Sequence, residues 1–157
     1  MFQTFHLRKF LTSLGLTLAT GFLAGIFAGG ESELYGMLIK PPLSPPGSVF
    51  PVVWAVLYVL MGISLYFIRT LPDSAEKRRA LLFLGLQLFF NFCWPIAFFR
   101  FNLYCFSALW LAILIVLIGI TIYDFNKLKP IAGLILVPYI IWCSYALYLN
   151  IGTCILN

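Results

Sequence analysis

Two side-chain amides, Gln87 and Asn91, lie four residues apart in an otherwise apolar stretch and share a helical face with Trp94 and Pro95. A polar group in apolar surroundings either hydrogen-bonds a neighbouring helix or addresses a ligand, and both can hold at once. Two more stripes repeat at helical spacing: Trp54, Tyr58 and Met61, and Trp142, Ala146 and Asn150 with Tyr145 and Tyr148 beside them. Tryptophans near a membrane edge often serve only as headgroup anchors. Flat aromatic surface next to isolated hydrogen-bonding groups also suits a large planar apolar ligand with a few polar handles.

Other chemistry is missing. The sole histidine, His6, precedes the first apolar stretch and cannot reach a bundle interior, which excludes a haem iron held by an intramembrane imidazole. Cys93, Cys105, Cys143 and Cys154 form no CxxC pair, so the expectation is free thiols acting as small apolar fillers, with no metal site. No apolar stretch carries an Asp, Glu, Lys, Arg or His near its centre, which disfavours proton- or ion-coupled transport. There is no Ser/His/Asp set, paired carboxylate site or phosphate loop, which argues against hydrolysis and phosphoryl transfer.

The elements that must position the amides and rings are membrane spans. Mean hydropathy is +1.02 and charged residues are 10% of the 157-residue chain. A water-soluble domain with so thin a polar coat would not stay dispersed. Five stretches are each long enough to cross a bilayer as a helix: about 11–30, 48–68, 80–99, 103–123 and 131–156. Without water to satisfy backbone groups, and without period-two alternation, helices are required rather than a barrel. The expected fold is an all-α integral membrane protein, a single five-helix bundle over residues 1–157.

Eight basic residues flank one side of these spans (Arg8, Lys9, Arg69, Lys77, Arg78, Arg79, Lys127, Lys129) and two the other (Lys40, Arg100). The positive-inside rule then puts the N-terminus in the cytoplasm and the C-terminus outside. The net charge of +5 lies at membrane edges, so anionic lipid accounts for it and nucleic acid is not an expected partner.

Three smaller features shape the expected bundle. Gly21, Gly25 and Gly29, with Ala24 and Ala28 alongside, form a stripe that lets another backbone approach closely, either within the bundle or across a dimer. Pro138 should kink the fifth span one turn before Trp142. The segment from Glu31 to Gly47 contains Lys40-Pro41-Pro42-Leu43-Ser44-Pro45-Pro46-Gly47 and should be a stiff loop strapped over the outer end, able to act as a lid.

Three stretches together carry a resemblance. KPPLSPPGSVFPVVWAVLYVLMGISL (Lys40 to Leu65) is similar to a KP-x-x-x-PP loop running into W-x-x-x-Y-x-x-M-G. QLFFNFCWPIAFF (Gln87 to Phe99) is similar to Q-x-x-x-N-x-x-W-P with a trailing aromatic pair, and LVPYIIWCSYALYLN (Leu136 to Asn150) to P-Y-x-x-W with an A-x-x-L-N ending. In this order and spacing they resemble the translocator protein family, TspO/MBR, across essentially the whole chain. The resemblance implies a five-helix bundle, often a homodimer, whose internal pocket binds porphyrins and isoquinoline-carboxamide or benzodiazepine-type molecules. It implies pocket residues Tyr35, Trp54, Tyr58, Asn91, Trp94, Trp142 and Ala146, to which the amide stripe adds Gln87.

The expected function is binding of porphyrins (protoporphyrin IX or haem) in a bacterial cell membrane as sensor, scavenger or regulator, with no obligatory cofactor. Lys40 and Arg100 are the candidate partners of porphyrin carboxylates. Two alternatives stand beside it: passive transport of a lipophile, and light- and oxygen-dependent porphyrin breakdown with Trp54 and Trp142 as oxidisable partners. Where family members commonly have tryptophan this chain has Leu43 and Ser48. No basic residue follows Lys129, so the cholesterol-recognition pattern of animal members is missing.

Overall fold

The structure is a computed structural model and describes residues 5–29 and 31–157. Seven α-helices occur among these residues: α1 Leu7–Ala28, α2 Glu31–Met37, α3 Val49–Arg69, α4 Ala75–Pro95, α5 Tyr104–Leu128, α6 Pro130–Ile135 and α7 Val137–Leu156. Five helical spans are long and apolar enough to cross a membrane: α1, α3, α4 with the turn that follows it, α5, and α6–α7 taken together. The all-α five-span architecture is therefore as the apolar pattern requires.

The ends of the spans differ from the hydropathy reading for local reasons. α4 begins at Ala75, five positions before the apolar run, because the Ser74 hydroxyl caps it by accepting the Lys77 N–H at 3.1 Å. Lys77 Nζ then donates to Leu71 O at 2.7 Å and pairs with Asp73 at 3.0 Å, so the charges at this end belong to the helix. At the other end Pro95 has no N–H to give, and the chain continues as a π-helical turn, Ile96–Arg100. The fifth span is broken where a kink was expected. α6 stops at Ile135, and Pro138 sits in the first turn of α7, where a missing N–H costs nothing.

α1 packs on α3, α4 and α5 pack on each other, α5 packs on α7, and α6 fits between α3 and α5. Between α1 and α3 the close backbone approach falls at Gly62 of α3, not on the glycine stripe of α1. A Cβ on Gly62 would stand 2.9 Å from the Leu14 Cα and 2.8 Å from Thr17 Oγ1. Thr17 in turn donates to Tyr58 O at 2.8 Å. Gly25 has nothing within 4 Å, Gly21 faces the Tyr58 ring, and Gly29 (φ +62°) ends the helix in the left-handed region. The stripe is thus a hollow, because α1 and α3 part above Tyr58.

The free-thiol expectation is corrected for two of the four cysteines. Cys105, in the first turn of α5, and Cys154, in the last turn of α7, form a disulfide with Cα atoms 5.0 Å apart. Their separation of 49 residues hid the pair, since only helix packing brings these two ends side by side. Cys93 and Cys143 are free.

The segment from Glu31 is corrected as well: its first part is the helix α2, and only residues 38–48 form the strap. The strap lies against α7. Tyr145 and Tyr148 donate to the carbonyls of Leu43 (2.5 Å) and Pro42 (2.8 Å), and the Asn157 amide exchanges two hydrogen bonds with the Ile39 backbone, both 3.0 Å. Pro41 covers Gly152 so closely that a Cβ there would collide with the proline ring. Leu43 takes φ +65° at the apex.

Candidate functional site

A cleft of about 840 Å³ lies between α1, α3 and α4 in the half of the bundle nearer the strap. Tyr58 closes its floor against Gly21, while Tyr35 of α2 and Gly47 of the strap form its roof. Phe50, Trp54, Trp94 and Phe99 supply aromatic wall, and Leu18, Phe22 and Ile26 of α1 face them. Phe22 is 71% exposed, and Pro51 and Ala55 across the gap are exposed too, so the cleft opens sideways along the α1–α3 seam toward lipid. Its volume falls within the range of ordinary small-molecule sites.

The polar part of the cleft is the visible end of a buried chain of hydrogen bonds. Tyr58 donates to Asn91 Oδ1 at 2.6 Å, Asn91 Nδ2 to the Tyr139 hydroxyl at 2.6 Å, and Tyr139 to Gln87 Oε1 at 2.7 Å. Gln87 Nε2 ends the chain on Met61 Sδ at 3.7 Å. Every member lies on α3, α4 or α7, so the chain fixes these helices relative to one another as well as presenting Tyr58 and Asn91 to the cleft. Tyr139 is fully buried at its centre.

Trp94 is held from behind. Its indole donates to Asn150 Oδ1 at 2.9 Å, and Asn150 Nδ2 donates to Tyr104 O (2.8 Å) and Ser107 Oγ (3.3 Å). The indole is thereby fixed in the cleft wall with its polar edge satisfied. Trp54 leans on Tyr58, Trp94 and Tyr139 at centroid distances of 5.8, 6.2 and 6.3 Å.

Of the residues expected at the site, Tyr35, Trp54, Tyr58, Asn91 and Trp94 line this one cleft. Gln87 stands behind it, on Tyr139 and Met61. Ala146 lines a separate void of about 20 Å³ with Leu149, Asn150 and Thr153, partitioned from the cleft by Tyr35, Phe50, Trp94 and Phe99. Trp142 lines neither. It packs edge-on against Phe50 at 5.9 Å, with its buried indole N–H unpartnered among the described residues. Lys40 covers the Tyr35 ring at 4.7 Å and Arg100 donates to Phe27 O at 3.3 Å, so both sit at the strap-side rim and not on the walls.

Phe50, Phe99 and the whole α1 wall went unrecognised in the sequence. Apolar side chains in an apolar helix carry no polar mark, and the glycines at 21 and 25 read equally well as a tight helix seam. Among the described residues no cluster of His, Cys, Asp and Glu could hold a metal ion.

Five packed spans, three of them bordering a laterally open aromatic cleft with a buried amide–phenol chain at its floor, define a small helical membrane protein with an internal cleft. The chain belongs to the TspO/MBR family, whose model matches residues 13–156. It is 32% identical over 146 residues to the tryptophan-rich protein TspO of Chlorobaculum tepidum, covering 92% of each chain. It is 32% identical to the tryptophan-rich sensory protein of Cereibacter sphaeroides (94% of this chain, 89% of that one) and 32% identical to the human translocator protein (88% and 85%).

Proposed function

We propose that this chain binds flat lipophilic molecules of the tetrapyrrole class in the outer half of a bacterial cell membrane and serves as a sensor, scavenger or regulator of them. The observation that carries this reading is the cleft itself. It presents aromatic surface on Trp54 and Trp94, whose rings are tilted by 36° to one another, amide and phenol groups at Asn91 and Tyr58, and a side opening through which a lipid-dissolved molecule enters. The name of the Cereibacter sphaeroides relative supports a sensory role. The ring system lies in the cleft and its carboxylates reach the rim, where Lys40 and Arg100 supply charge. The charge bias of the loops supports a cytoplasmic N-terminus and an external strap.

Photo-oxidative breakdown has weaker support, because Trp54 meets the cleft and Trp142 does not. Titration of the purified protein with protoporphyrin IX, followed by tryptophan fluorescence in darkness and then in light, tests the reading. Saturable quenching with a stable porphyrin spectrum is expected. No saturable quenching sinks the binding proposal, and light-dependent loss of the spectrum replaces it with chemistry.

A further inference from the structure

The Cys105–Cys154 bond is placed where it controls more than the two helices it joins. Cys154 is in the last turn of α7, and three residues on Asn157 holds the strap through its paired hydrogen bonds to Ile39. Gly152, two residues before Cys154, is the seat of Pro41. The last turn of a helix has carbonyls without intrahelical partners and opens before the rest. Here the covalent tie to α5 holds that turn closed. One turn earlier the Asn150 bonds to Tyr104 and Ser107 hold α7 to α5 without sulfur, and Tyr145 and Tyr148 grip the strap at Leu43 and Pro42. Loss of the disulfide therefore frees only the part of the strap near Ile39, next to the cleft's roof at Tyr35.

We propose that Cys105–Cys154 is a thiol–disulfide exchange site for a dithiol reductant and that its redox state sets how firmly the strap is held over the cleft. Cys105 is exposed and Cys154 half-buried, and both lie within a turn of the ends of their spans, where a thiolate in the water phase has access. The thiolate attacks one sulfur, breaks the Cys105–Cys154 bond and forms a mixed disulfide. The second thiol of the reductant resolves it, leaving as its own cyclic disulfide, and the two cysteines each take up a proton as thiols. Two electrons pass from the dithiol to the protein.

The test is amide hydrogen exchange, read by mass spectrometry on the full chain in detergent, before and after dithiothreitol; ligand binding plays no part, so it stands apart from the function proposed above. Thiol titration should count two free cysteines before treatment and four after. The Ile39 amide should exchange roughly tenfold faster after reduction, with the amides of α3 unchanged. C105S/C154S should show the faster rate with no response to dithiothreitol, and N157A should show it even with the disulfide intact. Four free thiols before treatment, or complete reduction with unchanged exchange at Ile39, overturns the proposal; the wild-type measurement decides this even if the double variant does not fold.

Discussion

Tyr139 is the residue on which the site depends most and which it shows least. It is buried completely, accepts from Asn91 and donates to Gln87, so a Tyr139→Phe change removes one hydroxyl and leaves two buried amide atoms without partners. Such orphaned groups cost about 1–3 kcal/mol in water-soluble cores and nearer 1 kcal/mol between membrane helices. Thermal unfolding in detergent should show a loss on that scale, with Trp54 emission altered because its ring rests on Tyr139. The tryptophans offer a sharper comparison. Trp54→Ala removes cleft wall and should weaken protoporphyrin binding by about 1–3 kcal/mol. Trp142→Ala, outside the cleft, should cost clearly less. Equal losses in a fluorescence-independent binding assay would show that Trp142 joins the site when ligand is present.

At the scale of elements, α1 meets α3 in two different ways along its length. Toward the N-terminal end of α1, Gly62 receives Leu14 and Thr17, and Arg69 donates to Lys9 O (3.4 Å), Thr12 Oγ1 (2.8 Å) and Ser13 Oγ (3.0 Å). Above Tyr58 the two helices separate to make the cleft. Gly62→Leu must push the helices apart and should abolish folding or lower the melting temperature strongly. Gly25→Leu meets open space, so it should fold normally and occupy the cleft instead. Ligand titration beside a melting curve distinguishes these outcomes. A Gly25→Leu protein that is folded and binds with unchanged affinity would place the ligand elsewhere.

For the molecule as a whole, the strap end is where the cleft is roofed. Tyr35 roofs the cleft and donates to Pro45 O at 2.9 Å. Burial, partly offset by a hydrogen bond with Ser44 and reinforced by nearby Tyr145, holds its phenol above the usual tyrosine range. Raised in the folded state, this group contributes stability that is complete below the ordinary tyrosine value near pH 10 and lost as pH climbs through the higher one. The strap should therefore stay in place through neutral and mildly alkaline conditions and loosen only beyond that range. Tyrosine-ionisation absorbance followed together with Ile39 amide exchange checks the order. At the same rim, replacing Lys40 and Arg100 with Gln should weaken porphyrin binding while leaving an uncharged isoquinoline carboxamide almost unaffected. Matching losses for both ligands would mean that the two cations act on the fold and not on carboxylates.

How much of this was legible in sequence depends on what kind of signal each part leaves. Five spans follow from composition alone, because lipid demands continuous apolar helices and leaves charge only at their ends. Gln87, Asn91 and the tryptophans were visible for the opposite reason: polar or amphipathic groups stand out against apolar sequence. The proline in the fifth span announced its own break. Four things had no local signature. The strap's grip on α7, the Cys105–Cys154 bond and the partition of Ala146 from the cleft all join residues tens of positions apart. The fourth is the glycine stripe, whose spacing is the same for a tight seam as for a hollow; only the packing of α1 on α3, with open space at Gly25, made it a hollow. Sequence by itself determined the spans and the chemistry they could present, since both are properties of single helices in lipid. Tertiary structure decided which of those groups share a cavity, because that is set by how the helices cross.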